Sequence, residues 1–214
     1  MLELKLFGIP ELCWEGKPLS LPSPKNLAIL SYLAIKGESI SRKDLLELFW
    51  KDGKASNLRF VLHKLREIPG SETWLETDDH FVSVKVVTDV QRFEKAIHNE
   101  HYSEALALHP SGEVLLKGLE LNDAENFTNW LDLERSRLSQ LYLDALQGHI
   151  KELERTNKTD EALKLARQLL EQDKLNETTH RTIMRLEHKR GNTEAALAQF
   201  EQLRQILKEE LDVE

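Results

Sequence analysis

The sequence predicts two units of different class: an α+β domain over residues 1–88 and an all-α helical-repeat domain over residues 89–214. Three observations carry this. Apolar and polar residues alternate at period two only in the first part, at LELKLFG, at ELCWEG with KPLSLP, and at TWLETDDHFVSVK. After about Thr88 the apolar residues follow a helical period throughout. A short motif then recurs: NKTDEAL at 157–163 aligns with GNTEAAL at 191–197, an offset of 34 residues.

The elements follow in order. LELKLFG, ELCWEG and KPLSLP, with Gly16 at a turn, read as a small antiparallel sheet. From Lys25 to Ile35, Leu27, Leu30, Leu33 and Ala34 recur at helical spacing, and Gly37 is placed to end that helix. Ser41 with Asp44 has the spacing of an N-terminal cap, and the leucines that follow carry a second helix to about Trp50. A third helix spans residues 55–67, with Leu58, Leu62 and Leu65 on one face, flanked by Ala55 and Val61. Two short alternating runs around Asp78 and Asp79 then predict a hairpin. A sheet, three helices and a hairpin in that order form a winged helix-turn-helix.

Beyond Thr88, DVQRFEKAIHNEHYSEALALH predicts a helix pair and GEVLLKGLELNDAENF a connection without clear period. A long helix is expected from Thr128 to about Arg155. The 34-residue offset is that of tetratricopeptide helix pairs, in which a small residue such as Ala162 or Ala196 lets helices approach. Phe200 is expected to fill the gap between repeats. Limited proteolysis is expected to divide the two domains near residues 85–92 and to leave 1–88 folded.

Charge is divided unevenly. Residues 1–88 hold 12 Lys/Arg and 12 Asp/Glu, whereas the remainder holds 17 and 25, so the net charge of −8 lies wholly in the second part. Within the first part, Lys54 to Arg66 contains Lys54, Arg59, Lys64 and Arg66 and no acid. The face opposite the leucines presents Ser56, Asn57, Arg59, Phe60, His63 and Lys64. Such a face suits the DNA major groove, where Asn pairs with adenine, Lys or Arg with guanine, and an apolar group touches a thymine methyl. An acid there would be repelled by phosphates. Phe60 either marks an interface or packs beneath the wing. Lys25 and Asn26, opening the first helix, are candidates for holding phosphate. The wing tip carries Asp78 and Asp79, where a minor-groove contact favours Arg or Lys, which leaves His80 and Lys85 as its cationic candidates.

Other chemistries are poorly supported. No apolar run reaches the roughly 18 to 20 residues of a membrane span, and no secretory leader is legible, so a cytoplasmic protein is expected. The single cysteine, Cys13, admits no internal disulfide and reads as packing. His98, His101 and His109 read as surface residues, since their spacing crosses a helix break and no further ligand completes a metal set. HisProSerGly at 109–112 lacks the lysine of a phosphate loop, and the many carboxylates sit at helical spacing beside bases. No cofactor and no catalytic activity are expected.

The layout as a whole resembles the bacterial transcriptional activators of the antibiotic-regulatory-protein (SARP) type, in which a winged helix precedes a tetratricopeptide-like activator domain. LLELFWKDG followed by NLRFVLHKLREI is similar to the family's Leu-Trp turn and recognition helix, and VTDVQRFEKAI to the Asp-x-x-x-Phe start of its second domain. WLDLERSRLSQLYLDAL and the run from Leu175 to Glu214 complete the likeness over essentially all 214 residues. Where family members continue Glu-Leu-Gly-Val-Glu-Pro, this sequence has Asp212 for the glycine and stops at Glu214, so a longer natural protein is expected. The resemblance implies an activator that binds double-stranded DNA, dimerises on direct repeats and contacts RNA polymerase or its sigma factor. The rival expectation is a protein-interaction scaffold whose winged helix docks protein rather than DNA.

Overall fold

The computed structural model describes residues 2–109 and 113–211. The rest of the His-Pro-Ser-Gly run after His109, and the Asp212 departure, lie outside the described residues. Strands β1 (Leu2–Lys5), β2 (Glu11–Trp14) and β3 (Lys17–Leu19) form an antiparallel sheet in that order. Helix α1 (Pro24–Lys36) begins at Ser23, whose hydroxyl accepts from the Asn26 amide, and ends at Gly37. Helix α2 (Arg42–Phe49) is capped by Ser41, as its spacing with Asp44 predicts, and α3 (Ala55–Arg66) follows the turn. Two elements have no counterpart in the sequence reading: β4 (Ile40–Ser41) and the single turn α4 (Ser71–Trp74). The hairpin β5 (Leu75–Thr77) and β6 (Phe81–Val84) pairs through β6 with β4, in the order β4-β6-β5.

The second part is helical: α5 (Asp89–His98), α6 (Tyr102–Leu108), the long α7 (Glu125–Arg155), then α8 (Thr159–Gln172), α9 (Glu177–Lys189) and α10 (Thr193–Leu211). The 34-residue offset is visible in the turns. Asn157 and Gly191 are equivalent, and both adopt left-handed backbone, with φ of 59° and 81°. Gly and Asn are the residues that tolerate it best. In each turn the next amide closes onto the equivalent carbonyl, Lys158 onto Leu153 at 2.9 Å and Asn192 onto Glu187 at 2.9 Å. The packing expectation holds at one end only: Ala162 is fully buried, but Phe200 is 50 % exposed rather than filling a gap.

The change of architecture at residue 88 coincides with a packed seam. Val86, Thr88 and Val90 are all buried. The Asp89 carboxylate accepts from the amides of Leu6, at 2.8 and 3.0 Å, and of Phe7, at 3.1 Å. Phe7 lies edge-on to Phe93, with centroids 5.4 Å apart. The Asp-x-x-x-Phe pattern is thus the residue pair that receives the end of β1. On the other side, Phe49 of α2 stacks on Phe127 of α7 at 4.8 Å, and Asn126 donates to the Glu47 carbonyl at 2.8 Å. One hydrophobic cluster runs through both parts.

His98 and His101 are exposed, as expected, but His109 is not. It is 3 % exposed, its ring set against Phe7 at 3.9 Å, Tyr142 at 4.9 Å and Phe93 at 5.1 Å. Its place in the aromatic seam, invisible from its neighbours in sequence, corrects the surface reading.

Candidate nucleic-acid interface

Helix α3 buries Leu58, Val61, Leu62 and Leu65, while Ala55 is exposed rather than flanking the core. Its last turn carries His63, Lys64 and Arg66, which complement the negative end of the helix dipole. Its first turn contains no acid and its N-cap, Lys54, makes no side-chain cap bond. Helix stability favours an acid or a capping oxygen at both places. Their absence therefore finds no explanation within the helix.

The residues singled out on this helix share one exposed surface. Lys54, Asn57, Arg59, Phe60, His63 and Arg66 are exposed, and Lys64 is half-buried. Phe60 is 60 % exposed, so it does not pack beneath the wing; the Lys64 ammonium lies 5.9 Å from its ring centroid. Lys54 and Arg59 have no ion pair among the described residues. His63 and Lys64 both face Glu67, at 3.4 and 2.9 Å. Arg66 reaches Thr77 on β5, tying the helix to the hairpin. With its amide oriented to satisfy both neighbours, Asn57 donates from Nδ2 to the Lys54 carbonyl and accepts at Oδ1 from Trp50 Nε1, each at 3.3 Å.

The α1 candidates are placed differently from the sequence expectation. Asn26 is 1 % exposed and its Oδ1 accepts from the Ser23 hydroxyl at 2.5 Å, so it cannot meet phosphate. Lys25 is engaged internally: its ammonium pairs with Asp123 at 2.6 Å and lies 5.0 Å from the Trp50 ring centroid. The Lys25 contact holds the Asp123 carboxyl below the ordinary carboxylate range.

The hairpin turn is shaped by an acid. Asp78 Oδ1 accepts from the amides of His80 and Phe81, both at 2.7 Å, and these bonds hold its carboxyl below the ordinary range. The acid that looked misplaced on a wing shapes its turn. Lys85 is paired with Glu76 across the strands, and exposed His80 is the remaining cationic candidate. Three residues that sequence reasoning passed over complete the surface: Glu67, one position beyond the acid-free window, and Trp50 and Asp123, which reach Asn57 and Lys25 from other elements. Glu67 was within reach of an i,i+3 and i,i+4 count; the other two were not.

No group of three or more His, Cys, Asp or Glu among the described residues is arranged to hold a metal ion, and no described helix is long and apolar enough to cross a membrane. Residues 85–214 match the family described as the bacterial transcriptional activator domain. The whole chain is similar in structure to EmbR of Mycobacterium tuberculosis, solved in complex with a low affinity phosphopeptide, with a TM-score of 0.76 at 14 % identity. The likeness covers 100 % of this chain and 61 % of that one, and at this identity it speaks for the fold alone. No curated protein matches.

Proposed function

Because the chain belongs to the bacterial transcriptional activator domain family, we propose that it is a DNA-binding transcription regulator, an activator, that reads the major groove with α3. Residues 1–88 are its DNA-binding domain and 89–214 its helical activator domain. The observation that carries this reading is the solvent face of α3, where Asn57, Arg59, Phe60 and His63 are exposed on a segment without acids. Asn57 and His63 read bases, Arg59 and Lys54 hold phosphates, and Phe60 supplies the apolar contact with a thymine methyl. Lys64 and His63 act in competition with Glu67. The acidic second domain is repelled from the same polyanion, which keeps the contact local to α3.

Contact with RNA polymerase or its sigma factor, and pairing of two copies on direct repeats, are proposed for the helical domain on the family resemblance. The exposed Leu197 and Phe200 of α10 favour a protein contact there. The test is selection of bound fragments from random duplex DNA by the whole chain. Enrichment of a common site, lost as salt is raised, is the expected result. Recovery of no preferred sequence, with binding to proteins only, would put the scaffold reading in its place.

A further inference from the structure

The base-reading candidate on α3 is held from the other domain. Asp123, in the turn before α7, grips the Lys25 ammonium at 2.6 Å. The Lys25 side chain is only 15 % exposed, and its charge lies 5.0 Å from the Trp50 ring centroid. Trp50 follows the last residue of α2, and its Nε1 is 3.3 Å from Asn57 Oδ1. Gly53 leaves room for this arrangement, since a Cβ built there would come within 2.7 Å of Trp50 Cβ. Four residues from four separate segments thus form one contiguous chain of contacts ending on the solvent face of α3.

The chemistry at its end is specific. An amide that can rotate freely presents either donor or acceptor at a given place, and a base pair tells the two apart. In Asn57 the indole N–H fixes which atom is oxygen, and the Lys54 carbonyl fixes which is nitrogen. Each atom keeps one further hydrogen-bonding position, a lone pair on Oδ1 and an N–H on Nδ2. Those two in a set order are what a bidentate contact to adenine requires.

We infer that Asp123 is a positioning residue for Asn57: through Lys25 and Trp50, the start of α7 sets the donor and acceptor order that α3 presents to a base pair. The inference rests on the reading of α3 as the DNA-facing helix. Neutralising Asp123 leaves Lys25 a largely buried cation without its partner, so the ammonium moves to solvent, the indole loses the charge over its face, and the amide is free to turn.

The test uses the whole chain, with anisotropy on a selected and a scrambled duplex and the indole N–H resonance of Trp50 in the free protein. Asp123 is exposed, so Asp123→Asn is expected to fold, which a thermal melt checks. It should lower the preference for the selected duplex by roughly three- to tenfold and shift the Trp50 resonance, and any gain from the freed Lys25 ammonium should fall equally on the selected and scrambled duplexes. Asp123→Glu should restore most of the preference. In an Asn57→Ala background, Asp123→Asn should have no further effect. Gly53→Ala, which displaces Trp50 with the Lys25–Asp123 pair intact, should reproduce the loss. An unchanged Trp50 resonance and unchanged preference in Asp123→Asn overturns the inference, as does a loss that simply adds to that of Asn57→Ala. If the wild-type chain binds no duplex, the reading of α3 fails, and the Trp50 resonance in the free protein still decides whether Asp123 reaches Asn57.

Discussion

His109 illustrates what a single residue can hide. In the sequence it lies between an apparent helix end and a Pro-Ser-Gly run, and nothing near it reveals that Phe7, Phe93 and Tyr142 close around its ring. Burial pushes its imidazole below the ordinary value of 6.5, with the Glu113 charge opposing only in part. A depressed base gives stability that is complete above its unfolded value and is lost as pH falls through the folded one. The melting temperature should therefore fall between pH 7 and pH 5, by roughly 2 to 4 °C for each kcal/mol lost. His109→Phe should flatten that dependence, and melts across the series decide it. Asp89 is the contrasting case, because its motif marked it in the sequence while its role was not legible there. Asp89→Ala strands the amides of Leu6 and Phe7 and should cost about 1 to 3 kcal/mol in urea denaturation.

Helix α3 was the most legible element, and its limits are instructive. The leucine period gave the buried face, and an absence of acids gave the outward one, because both are local properties of twelve residues. Glu67 stood one residue outside the acid-free window, yet it engages both His63 and Lys64. Being the C-cap of α3, it places negative charge at the negative end of the helix dipole, which offsets the loss of its exposed ion pairs when it is neutralised. Glu67→Gln should therefore tighten DNA binding and steepen the salt dependence by roughly one unit of slope as Lys64 becomes available to phosphate. Unchanged affinity and slope in that variant would mean that this end of the helix stays clear of DNA. The short elements were out of reach for the opposite reason: β4 has two residues and α4 four, too few to show a period. Leu62→Ala is the folding control, with an expected loss of roughly 2 to 5 kcal/mol in thermal or urea unfolding.

At the scale of the whole molecule, the order of elements and the 34-residue repeat were legible, whereas the seam was not, because it joins residues far apart in sequence. Phe49 meets Phe127, Asn126 meets Glu47, and Asp89 meets Leu6 across a boundary that periodicity marks as a change of architecture. With Val86, Thr88 and Val90 buried, cleavage near 85–92 should be slow and the chain should unfold in one transition seen alike by far-UV dichroism and tryptophan fluorescence. The seam also gives the helical domain a hold on the helix proposed to face DNA. Fluorescence anisotropy over a salt series, on a selected duplex and a scrambled one, decides whether α3 reads DNA. Arg59→Ala should weaken both complexes about equally and flatten the salt slope by about one unit, one fewer counterion being released. Asn57→Ala should cost about 1 to 3 kcal/mol on the selected duplex and little on the scrambled one. Folded Arg59→Ala and Asn57→Ala chains that both keep wild-type affinity, preference and slope would rule out α3 as the reading helix.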